Sequence, residues 1–390
     1  MTPPTDDAPV AFFDMKAQQA LIRAGIEAGI ARVLDHGRFI QGPEVDALEE
    51  KLAAFAGVAH CVGVSSGTDA LQIAMMAENI GPGDAVFLPA FTYTATAEVP
   101  LVLGATPVFV DVEEATFNLD LADLERRVEM VAREGRFRPR AVVGVDLYGL
   151  PADWPAIQAL CERHGGMFAL DDAAQAFGAR LHGRRLGGWA DATACSFYPT
   201  KTLGCYGDGG ALLTDDADRA ALYRSLRTHG EGASRYEVLR TGMNGRLDSI
   251  QAAILLEKVP LLEGELAARA RAARWYAERL RAPVVVAPSP PPGFESAWGI
   301  YSILLPDATA RDLVQAALRA AGLPSAIYYP KPLHHQPAYR AAHTAALAGG
   351  PPPPLPVSED LCGRVLSLPM HPYLTEGQVA RVADAVMSVF

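Results

Sequence analysis

The 390-residue sequence is poor in cysteine and lacks long apolar runs. No two of its five cysteines have C-x-x-C spacing, and their odd number argues against a disulfide framework as well as a zinc knuckle. The longest apolar stretch, residues 99–110, is broken by two prolines and a glycine and is shorter than the roughly 18 to 20 residues of a membrane helix. The first ten residues, MTPPTDDAPV, do not resemble a signal peptide. The sequence therefore predicts a cytoplasmic protein with reduced thiols and no membrane contact.

Basic side chains are also scarce, and most of them are arginine. The chain has 45 acidic residues against 34 basic ones, which gives a formal net charge of −11. Because nucleic-acid binding requires a basic surface, this balance argues against nucleic acid as a partner. The lysines are Lys16, Lys51, Lys201, Lys258 and Lys331. If the chemistry requires an amine nucleophile, one of these five residues supplies it.

Segments with helical spacing alternate with short strand-like runs between residues 44 and 215. The expected helices are 44–56, 68–79, 121–133 and 154–164, and the expected strands are 60–64, 85–88, 106–110, 140–145 and 167–170. This alternation predicts an α/β domain whose sheet is mixed but mostly parallel and is covered by helices on both faces.

A different pattern begins near residue 247. Residues 247–280 favour one long helix or two helices in tandem around Pro260, and a strand at 300–305 and a helix at 309–321 follow. This pattern predicts a smaller α+β domain. We expect the large domain, with an N-terminal helical segment, to span residues 1–250 and the small C-terminal domain to span residues 251–390.

A turn of small polar residues follows the expected strand at 60–64. Ser65, Ser66, Gly67 and Thr68 lead from it into a helix. Backbone N–H groups, hydroxyl groups and the positive end of the helix dipole converge at such a turn on an anion such as phosphate, although the same turn could simply cap the helix. The turn matches neither G-x-G-x-x-G nor a Walker loop, which disfavours a dinucleotide or ATP site.

Two adjacent acidic residues, Asp171 and Asp172, end the strand that begins at residue 167. A carboxylate at this place in a parallel sheet holds a cationic ligand or caps the next helix. Either role keeps the side chain near the edge where such sheets bind ligands.

Lys201 is the lysine best placed for chemistry. It precedes the glycine-rich stretch 204–210, whereas Lys16, Lys51 and Lys258 lie in helical surroundings where a solvated amine is expected. Burial on a loop lowers the pKa of an ammonium group, and Schiff-base chemistry requires the neutral amine. A phosphate cradle, a carboxylate and a sheltered lysine at three strand ends together predict a site for pyridoxal 5′-phosphate (PLP).

Eight segments make the chain resemble the DegT/DnrJ/StrS family of sugar aminotransferases, which are fold-type I PLP enzymes acting on nucleotide-linked keto sugars. They cover almost the whole chain in order: 65–71 (SSGTDAL), 91–96 (FTYTAT), 171–175 (DDAAQ), 196–201 (SFYPTK), 207–211 (GDGGA), 243–248 (MNGRLD), 332–334 (PLH) and 368–371 (LPMH).

The resemblance assigns the cofactor contacts residue by residue. It implies that Lys201 forms the Schiff base, that Asp172 pairs with the pyridine nitrogen and that Gln175 lies near the ring hydroxyl. Tyr93 would stack on the ring. The phosphate would be held by Ser66, Gly67, Thr68 and Ser196, and Asn244 would reach it from a second subunit. The resemblance therefore also implies a homodimer with shared active sites.

The resemblance also points to the substrate. The sequence GDGG at 207–210 resembles relatives that act at carbon 3 of the sugar, and segment 244–248 resembles transaminases of UDP-2-acetamido-3-keto-uronic acids. In these, Arg246 would meet the substrate carboxylate, unless it instead pairs with Asp248 or caps the next helix. Tyr329 and His334 fall in segments that resemble the sugar pocket. Tyr328 departs from the histidine of many relatives.

The implied reaction is amino transfer, with L-glutamate as donor, to carbon 3 of UDP-2-acetamido-2-deoxy-3-keto-glucuronic acid, as in polysaccharide or O-antigen biosynthesis. The alternative substrate is a dTDP-3-keto-6-deoxyhexose, which has no carboxylate for Arg246. A non-catalytic PLP-binding regulator is the other alternative. Such a regulator would be expected to lack Lys201 or Asp172, and both are present.

Overall fold

The computed structural model describes residues 8–234, 236–281, 283–345 and 353–390. Most of the N-terminal segment on which the argument against a signal peptide depends lies outside these residues. Within the described ranges, no helix combines the length and the apolar character needed to cross a bilayer. All five cysteines are free, as predicted, and all five are buried.

Strands and helices alternate through the first half of the chain. The strands are β1 (His60–Val64), β2 (Asp84–Pro89), β3 (Thr106–Val110), β4 (Arg138–Val145), β5 (Phe168–Asp172), β6 (Arg180–Leu181), β7 (Arg184–Arg185), β8 (Ala192–Ser196), β9 (Gly210–Thr214), β10 (Phe294–Glu295), β11 (Tyr301–Leu304) and β12 (Val365–Leu368). The helices are α1 (Met15–His36), α2 (Pro43–Ala56), α3 (Gly67–Ala77), α4 (Ala95–Val102), α5 (Leu121–Glu134), α6 (Trp154–Arg163), α7 (Ala217–Leu226), α8 (Ser249–Lys258), α9 (Leu262–Arg279), α10 (Ala308–Ala320), α11 (Pro337–Ala345), α12 (Pro356–Arg364) and α13 (Glu376–Met387).

The large sheet has seven strands in the order β1-β9-β8-β5-β4-β2-β3. Only β9 runs against the other six strands of this sheet, because it pairs antiparallel with both β1 and β8. The remaining pairs are parallel. The predicted mixed, mostly parallel α/β sheet is therefore confirmed, and the carboxyl ends of β1, β2, β4, β5 and β8 meet at one edge.

Side chains of successive residues in this sheet enter two separate cores. In β4, Val142 packs in one core with Leu48 of α2 and Trp154 of α6. Its neighbour Val143 packs in the other core with Ala70 of α3. Because strand side chains alternate between faces, a strand buried on both sides reads as a continuous apolar run, which is what the sequence shows here.

The C-terminal region forms the predicted smaller α+β unit. A two-stranded antiparallel sheet of β11 and β12 packs with α9, α10 and α13 around a core of its own. Val10, from the start of the chain, also packs in this core. The expected tandem helices are α8 and α9, separated by a 3₁₀ turn at Val259–Leu261 that contains Pro260. The division of the chain at residue 250 remains a prediction.

Lys258, at the end of α8, departs from the sequence-based expectation. It was expected to carry a solvated amine, and that prediction is wrong because only 1% of the residue is exposed. Helix α8 packs against both α1 and α2, and the Lys258 amine donates a hydrogen bond to the backbone carbonyl of Gly204 in the loop after β8. Helical spacing alone does not reveal that a loop distant in the sequence contacts the lysine.

Candidate active site

A cavity of about 460 Å³ opens at the edge where the parallel strands end. Its wall brings together nine of the residues expected at the cofactor and substrate site: Ser66, Gly67, Thr68, Tyr93, Asp172, Gln175, Ser196, Lys201 and Tyr329. They come from turns or strand ends that are distant in the sequence. The parallel sheet places them together because its strands share one carboxyl edge.

Asp172 is the last residue of β5 and is buried, with 6% of its surface exposed. Its Oδ2 accepts a hydrogen bond from Thr96 Oγ1 of α4 at 3.0 Å, and its Oδ1 accepts one from the backbone N–H of Ala174 at 3.3 Å. Burial raises the pKa of Asp172, whereas these two hydrogen bonds and the charge of Lys201 oppose the rise. The carboxyl group is thus held rigidly and is suited to a cationic partner in the cavity.

Lys201 lies in the loop that follows β8 and is half-buried. Burial lowers the pKa of its amine, and the nearby charge of Asp172 acts in the opposite direction. A lowered pKa raises the fraction of neutral amine at physiological pH, which is the nucleophilic form. Among the described residues that line the cavity, Lys201 is the only cationic side chain.

The turn after β1 leads into α3 at the place where the sequence predicts a phosphate cradle. Ser66 is the N-cap of the helix, and its Oγ accepts a hydrogen bond from the backbone N–H of Asp69 at 3.0 Å. Gly67 lies so close to β8 that a Cβ on it would be 2.8 Å from Ser196 Cβ. This position therefore requires glycine. The helix N-terminus and Ser196 together form a surface suited to phosphate.

Gln175 and Tyr329 are joined by a hydrogen bond in the cavity wall. Gln175 Oε1 accepts a hydrogen bond from the backbone N–H of Tyr148 at 2.8 Å, and its Nε2 lies 3.1 Å from the Tyr329 hydroxyl. Burial raises the pKa of Tyr329. Both ends of the Gln175 amide are thus engaged by the protein, which fixes its orientation beside Asp172. Tyr93 is 58% exposed, so its ring is accessible for stacking.

Three expected site residues lie outside the cavity wall of the single chain. Asn244 is exposed. Arg246 is half-buried, and its Nε has no hydrogen-bond partner among the described residues. His334 is buried, and its Nε2 lies 3.2 Å from Oε1 of Glu359. Burial lowers the pKa of His334. Their roles in binding stay predictions.

The structure also places residues in the site that the sequence interpretation missed. Thr96 holds the Asp172 carboxyl group, and Phe13 contributes to the cavity wall from the segment before α1. Thr96 ends the motif at 91–96, so its position was available as a signal. Phe13 gives no local signal, because its approach to Lys201 depends on the path of the N-terminal segment.

The residues present fit a bound PLP molecule. A buried carboxyl group, a half-buried amine, a glycine-containing helix N-terminus and an accessible aromatic ring match the parts of the cofactor: its ring nitrogen, aldehyde, phosphate and ring face. The close approach of Gly67 to Ser196 carries most weight, because a side chain at residue 67 would close the cradle.

Known proteins resemble this chain over nearly all of its length. It is 42% identical over 377 residues to the UDP-2-acetamido-2-deoxy-3-oxo-D-glucuronate aminotransferase of Pseudomonas aeruginosa, which covers 97% of this chain and 99% of that protein. It is 43% identical over 383 residues to the UDP-N-acetyl-3-dehydro-alpha-D-glucosamine 3-aminotransferase of Acidithiobacillus ferrooxidans, covering 98% of each.

A solved structure supports the same relationship. A DegT DnrJ EryC1 StrS aminotransferase from Brucella abortus has a TM-score of 0.92 to this chain at 46% identity, with 97% of this chain and 98% of that chain covered. The family match extends over residues 21–387. The chain therefore belongs to the DegT/DnrJ/EryC1/StrS aminotransferase family, and it is a PLP-dependent aminotransferase.

Proposed function

We propose that this enzyme transfers an amino group from L-glutamate to carbon 3 of UDP-2-acetamido-2-deoxy-3-keto-glucuronic acid. The observation that carries the proposal is the presence of Lys201 and Asp172 in one cavity, each with its pKa shifted by burial. The two relatives described above are named as aminotransferases of a 3-oxo and a 3-dehydro sugar, both linked to UDP.

The proposed chemistry divides between Lys201 and Asp172. When bound, PLP supplies an electron sink for the electron pair released as a proton leaves the carbon that carries the nitrogen. Asp172 would keep the ring nitrogen protonated, because a cation beside a buried carboxyl group favours its ionised form. Lys201 would hold the cofactor and then, as a free amine, move the proton at the reacting carbon.

Other side chains would orient the cofactor. Ser66, Gly67, Thr68 and Ser196 surround the cradle proposed for the phosphate. Tyr93 would cover one ring face. Gln175 would lie near the ring hydroxyl, held in place by its two hydrogen bonds.

The proposed functional unit is a cytoplasmic homodimer. Asn244 is exposed and outside its own cavity, and Val238 and Leu239, from the same loop, are exposed apolar residues. Exposed apolar side chains grouped on one loop are typical of an interface. In the dimer, Asn244 of each subunit would reach the phosphate bound by the other, so that cofactor affinity depends on assembly.

The substrate carboxylate requires a cation that the single chain does not place in the cavity. Lys201 is the only cationic residue in the described wall, and it is committed to the cofactor. No ion pair joins Arg246 to Asp248 among the described residues, and Arg246 Nε has no hydrogen-bond partner there. Because Arg246 is two residues from Asn244, an interface that delivers Asn244 would deliver it too. We assign Arg246 to the carboxylate, and Tyr329 and His334 to the sugar-binding region.

Steady-state kinetics with Arg246→Ala tests this assignment. The KM for the 3-keto-uronic acid should rise about 10- to 150-fold, the equivalent of about 1.5 to 3 kcal/mol for one charge-assisted contact. The KM for the matching UDP sugar with a neutral carbon 6 should change far less. Arg240→Ala, an arginine in the same loop, is the matched control. Equal losses for both sugars would exclude a carboxylate contact.

A dTDP-3-keto-6-deoxyhexose is the second candidate substrate. The cavity wall of the single chain offers no arginine, and this sugar has no carboxylate to be matched. Turnover of UDP and dTDP 3-keto sugars by the purified enzyme, with the amino-sugar product identified by mass spectrometry, decides between them. A higher kcat/KM for the dTDP sugar would overturn the first assignment.

A further inference from the structure

Lys258 is a buried lysine outside the cavity. It ends α8 and is 1% exposed, although lysine is almost never fully buried without a partner. Burying its charge costs free energy, so the position calls for a structural or functional explanation.

The partners of Lys258 lie in the loop that carries Lys201. Lys258 Nζ donates a hydrogen bond to the backbone carbonyl of Gly204 at 2.5 Å. The same Nζ lies 4.2 Å from the centroid of the Tyr206 ring, within the range of a cation–π interaction. Cys205 of the loop and Glu265 of α9 are the titratable groups whose charge acts on it.

The loop between Lys201 and Gly209 makes a tight turn at Gly204. A Cβ on Gly204 would lie 2.5 Å from the carbonyl oxygen of Pro199, so the backbone strands of the turn are in close contact. A second side chain of α8 holds the same turn, because Gln251 Oε1 accepts a hydrogen bond from the backbone N–H of Tyr206 at 2.9 Å. Lys201 and Gly209, on either side of the turn, both line the cavity.

We propose that Lys258 is a positioning residue: its hydrogen bond to Gly204 and its contact with Tyr206 fix the turn so that the Lys201 amine stays beside Asp172. The inference rests on the proposed role of Lys201 and is independent of which sugar is the substrate. Lys258 makes no contact with the cavity and acts only through the loop.

The charge on Lys258 explains why a shorter or apolar side chain would not serve. An ammonium group donates a strong hydrogen bond to a carbonyl and is attracted to an aromatic face, whereas a neutral amine loses the second interaction. Burial lowers the pKa of Lys258 to about 8. The loop should therefore be held less firmly as the pH rises through about 8.

Lys258→Met tests the proposal, because methionine retains most of the apolar stem and removes the charge. The apoenzyme should form the Lys201 adduct with PLP more slowly, and kcat should fall about 10- to 100-fold while KM for the sugar changes little, since a displacement near 1 Å has effects of this size. Lys51→Met, at an exposed position of α2, is the matched control and should leave both rates unchanged.

The adduct is measured by its visible absorbance, and borohydride reduction followed by peptide mapping identifies the lysine that carries it. If the wild type carries the adduct on a lysine other than Lys201, the role of Lys201 in the proposed function is wrong, and this result is distinct from a failure of the role proposed for Lys258. Labelling of apoenzyme amines with trinitrobenzenesulfonate gives a readout without cofactor, in which the reactivity of Lys201 should change in Lys258→Met. Unchanged adduct formation, labelling and kcat in a folded Lys258→Met enzyme would overturn the positioning role.

Lys258→Arg provides a second test, which applies even if Lys258→Met does not fold. Arginine stays charged at all accessible pH values. Adduct formation speeds up in both proteins as Lys201 loses its proton, so the ratio of the wild-type rate to the Lys258→Arg rate should fall between pH 7 and 9. A ratio that stays constant over this range would show that the charge on Lys258 does not hold the loop, and would overturn the proposal.

Discussion

Asp171 and Asp172 are neighbours in β5, yet they lie in different environments on opposite faces of the sheet. Asp172 faces the cavity and is bonded to Thr96 of α4. Asp171 is fully buried on the other face, where its Oδ2 accepts a hydrogen bond from Thr193 Oγ1 of β8 at 3.1 Å. Strand geometry causes this separation, since successive side chains of a strand point to opposite sides.

A second buried carboxyl group, that of Asp146, lies close to Asp171. Asp146 is also fully buried. Its Oδ2 and the Oδ1 of Asp171 are buried and have no hydrogen-bond partner among the described residues. Asp146 Oδ1 accepts hydrogen bonds from the backbone N–H of Ala152 at 2.6 Å and from Trp154 Nε1 at 3.1 Å. Burial, followed by the charge of Asp146, raises the pKa of Asp171, so we expect one carboxyl group of the pair to be protonated and to donate to the other.

Burial of a carboxyl group therefore has two separate uses in this protein. On the cavity face, the positive charge of Lys201 acts on Asp172, and the Asp172 carboxyl group can ionise when a cationic ligand binds. On the opposite face, we expect a proton to be shared between Asp171 of β5 and Asp146, the residue after β4. Substitutions on the cavity face should therefore lower activity, whereas substitutions on the opposite face should change how stability depends on pH.

The largest effect is expected from removing the amine on the cavity face. Lys201→Ala should fold and should lower kcat by about 10⁴-fold, because the amine is both the cofactor anchor and the proton carrier. Steady-state turnover with an amino-sugar readout measures this loss. Lys331→Ala, at an exposed lysine, is the control. Turnover near the wild-type rate in Lys201→Ala would exclude this residue as the catalytic amine.

The two neighbouring aspartates give the most direct test of the comparison. Asp172→Asn should lower kcat by about 100- to 1000-fold, because a neutral amide does not keep the ring nitrogen charged. Asp171→Asn should keep kcat within about threefold, because its amide can still donate to Asp146 and accept from Thr193. Cofactor affinity, measured by absorbance titration, should change less than kcat in both. Equal losses of kcat would contradict the separation of the two faces.

The carboxyl pair on the opposite face should change how the free energy of unfolding depends on pH. Burial raises the pKa of Asp146 and Asp171, so the native pair holds a proton that the unfolded chain releases above about pH 4. The contribution of this carboxyl pair to the free energy of unfolding is therefore complete below pH 4 and is lost as the pH rises toward neutrality. Relative to Asp171→Asn, the wild type should lose about 1 to 3 kcal/mol of unfolding free energy between pH 5 and 8.

Urea unfolding at fixed protein concentration measures this difference, since assembly adds a concentration-dependent term. Both proteins share all other titrating groups, so subtracting the two curves isolates the carboxyl pair. Parallel curves for the wild type and Asp171→Asn would show that the pair holds no extra proton.

The smallest effect is expected from the hydrogen bond between Gln175 and Tyr329 in the cavity wall. Tyr329→Phe removes the hydroxyl and leaves the ring, so kcat/KM should fall by about two- to tenfold, as for a net hydrogen bond of about 1 kcal/mol. Stopped-flow measurement of the reaction with L-glutamate separates cofactor orientation from sugar binding. A loss seen only with the sugar would limit Tyr329 to its proposed place in the sugar-binding region and would exclude a role through Gln175.

Much of the fold followed from local patterns that packing reinforces. The predicted strand at 60–64 coincides with β1, and the expected tandem helices around Pro260 are α8 and α9. The antiparallel direction of β9 was not predicted, because direction depends on how the connecting loops return to the sheet. Sequence patterns indicate which residues are buried and which have helical or strand periodicity, but they do not indicate the path of a long loop.

The site shows the same division. The small-residue turn at 65–68, the acidic pair at 171–172 and Lys201 could be predicted from the sequence, because each follows or ends an apolar run that predicts a strand. That Asp172 faces the cavity with Thr96, and that Lys258 of α8 is buried against the loop of Lys201, emerged from the folded chain alone. Contacts between elements far apart in the chain depend on how helices pack over the sheet, and no local pattern in the sequence encodes that packing.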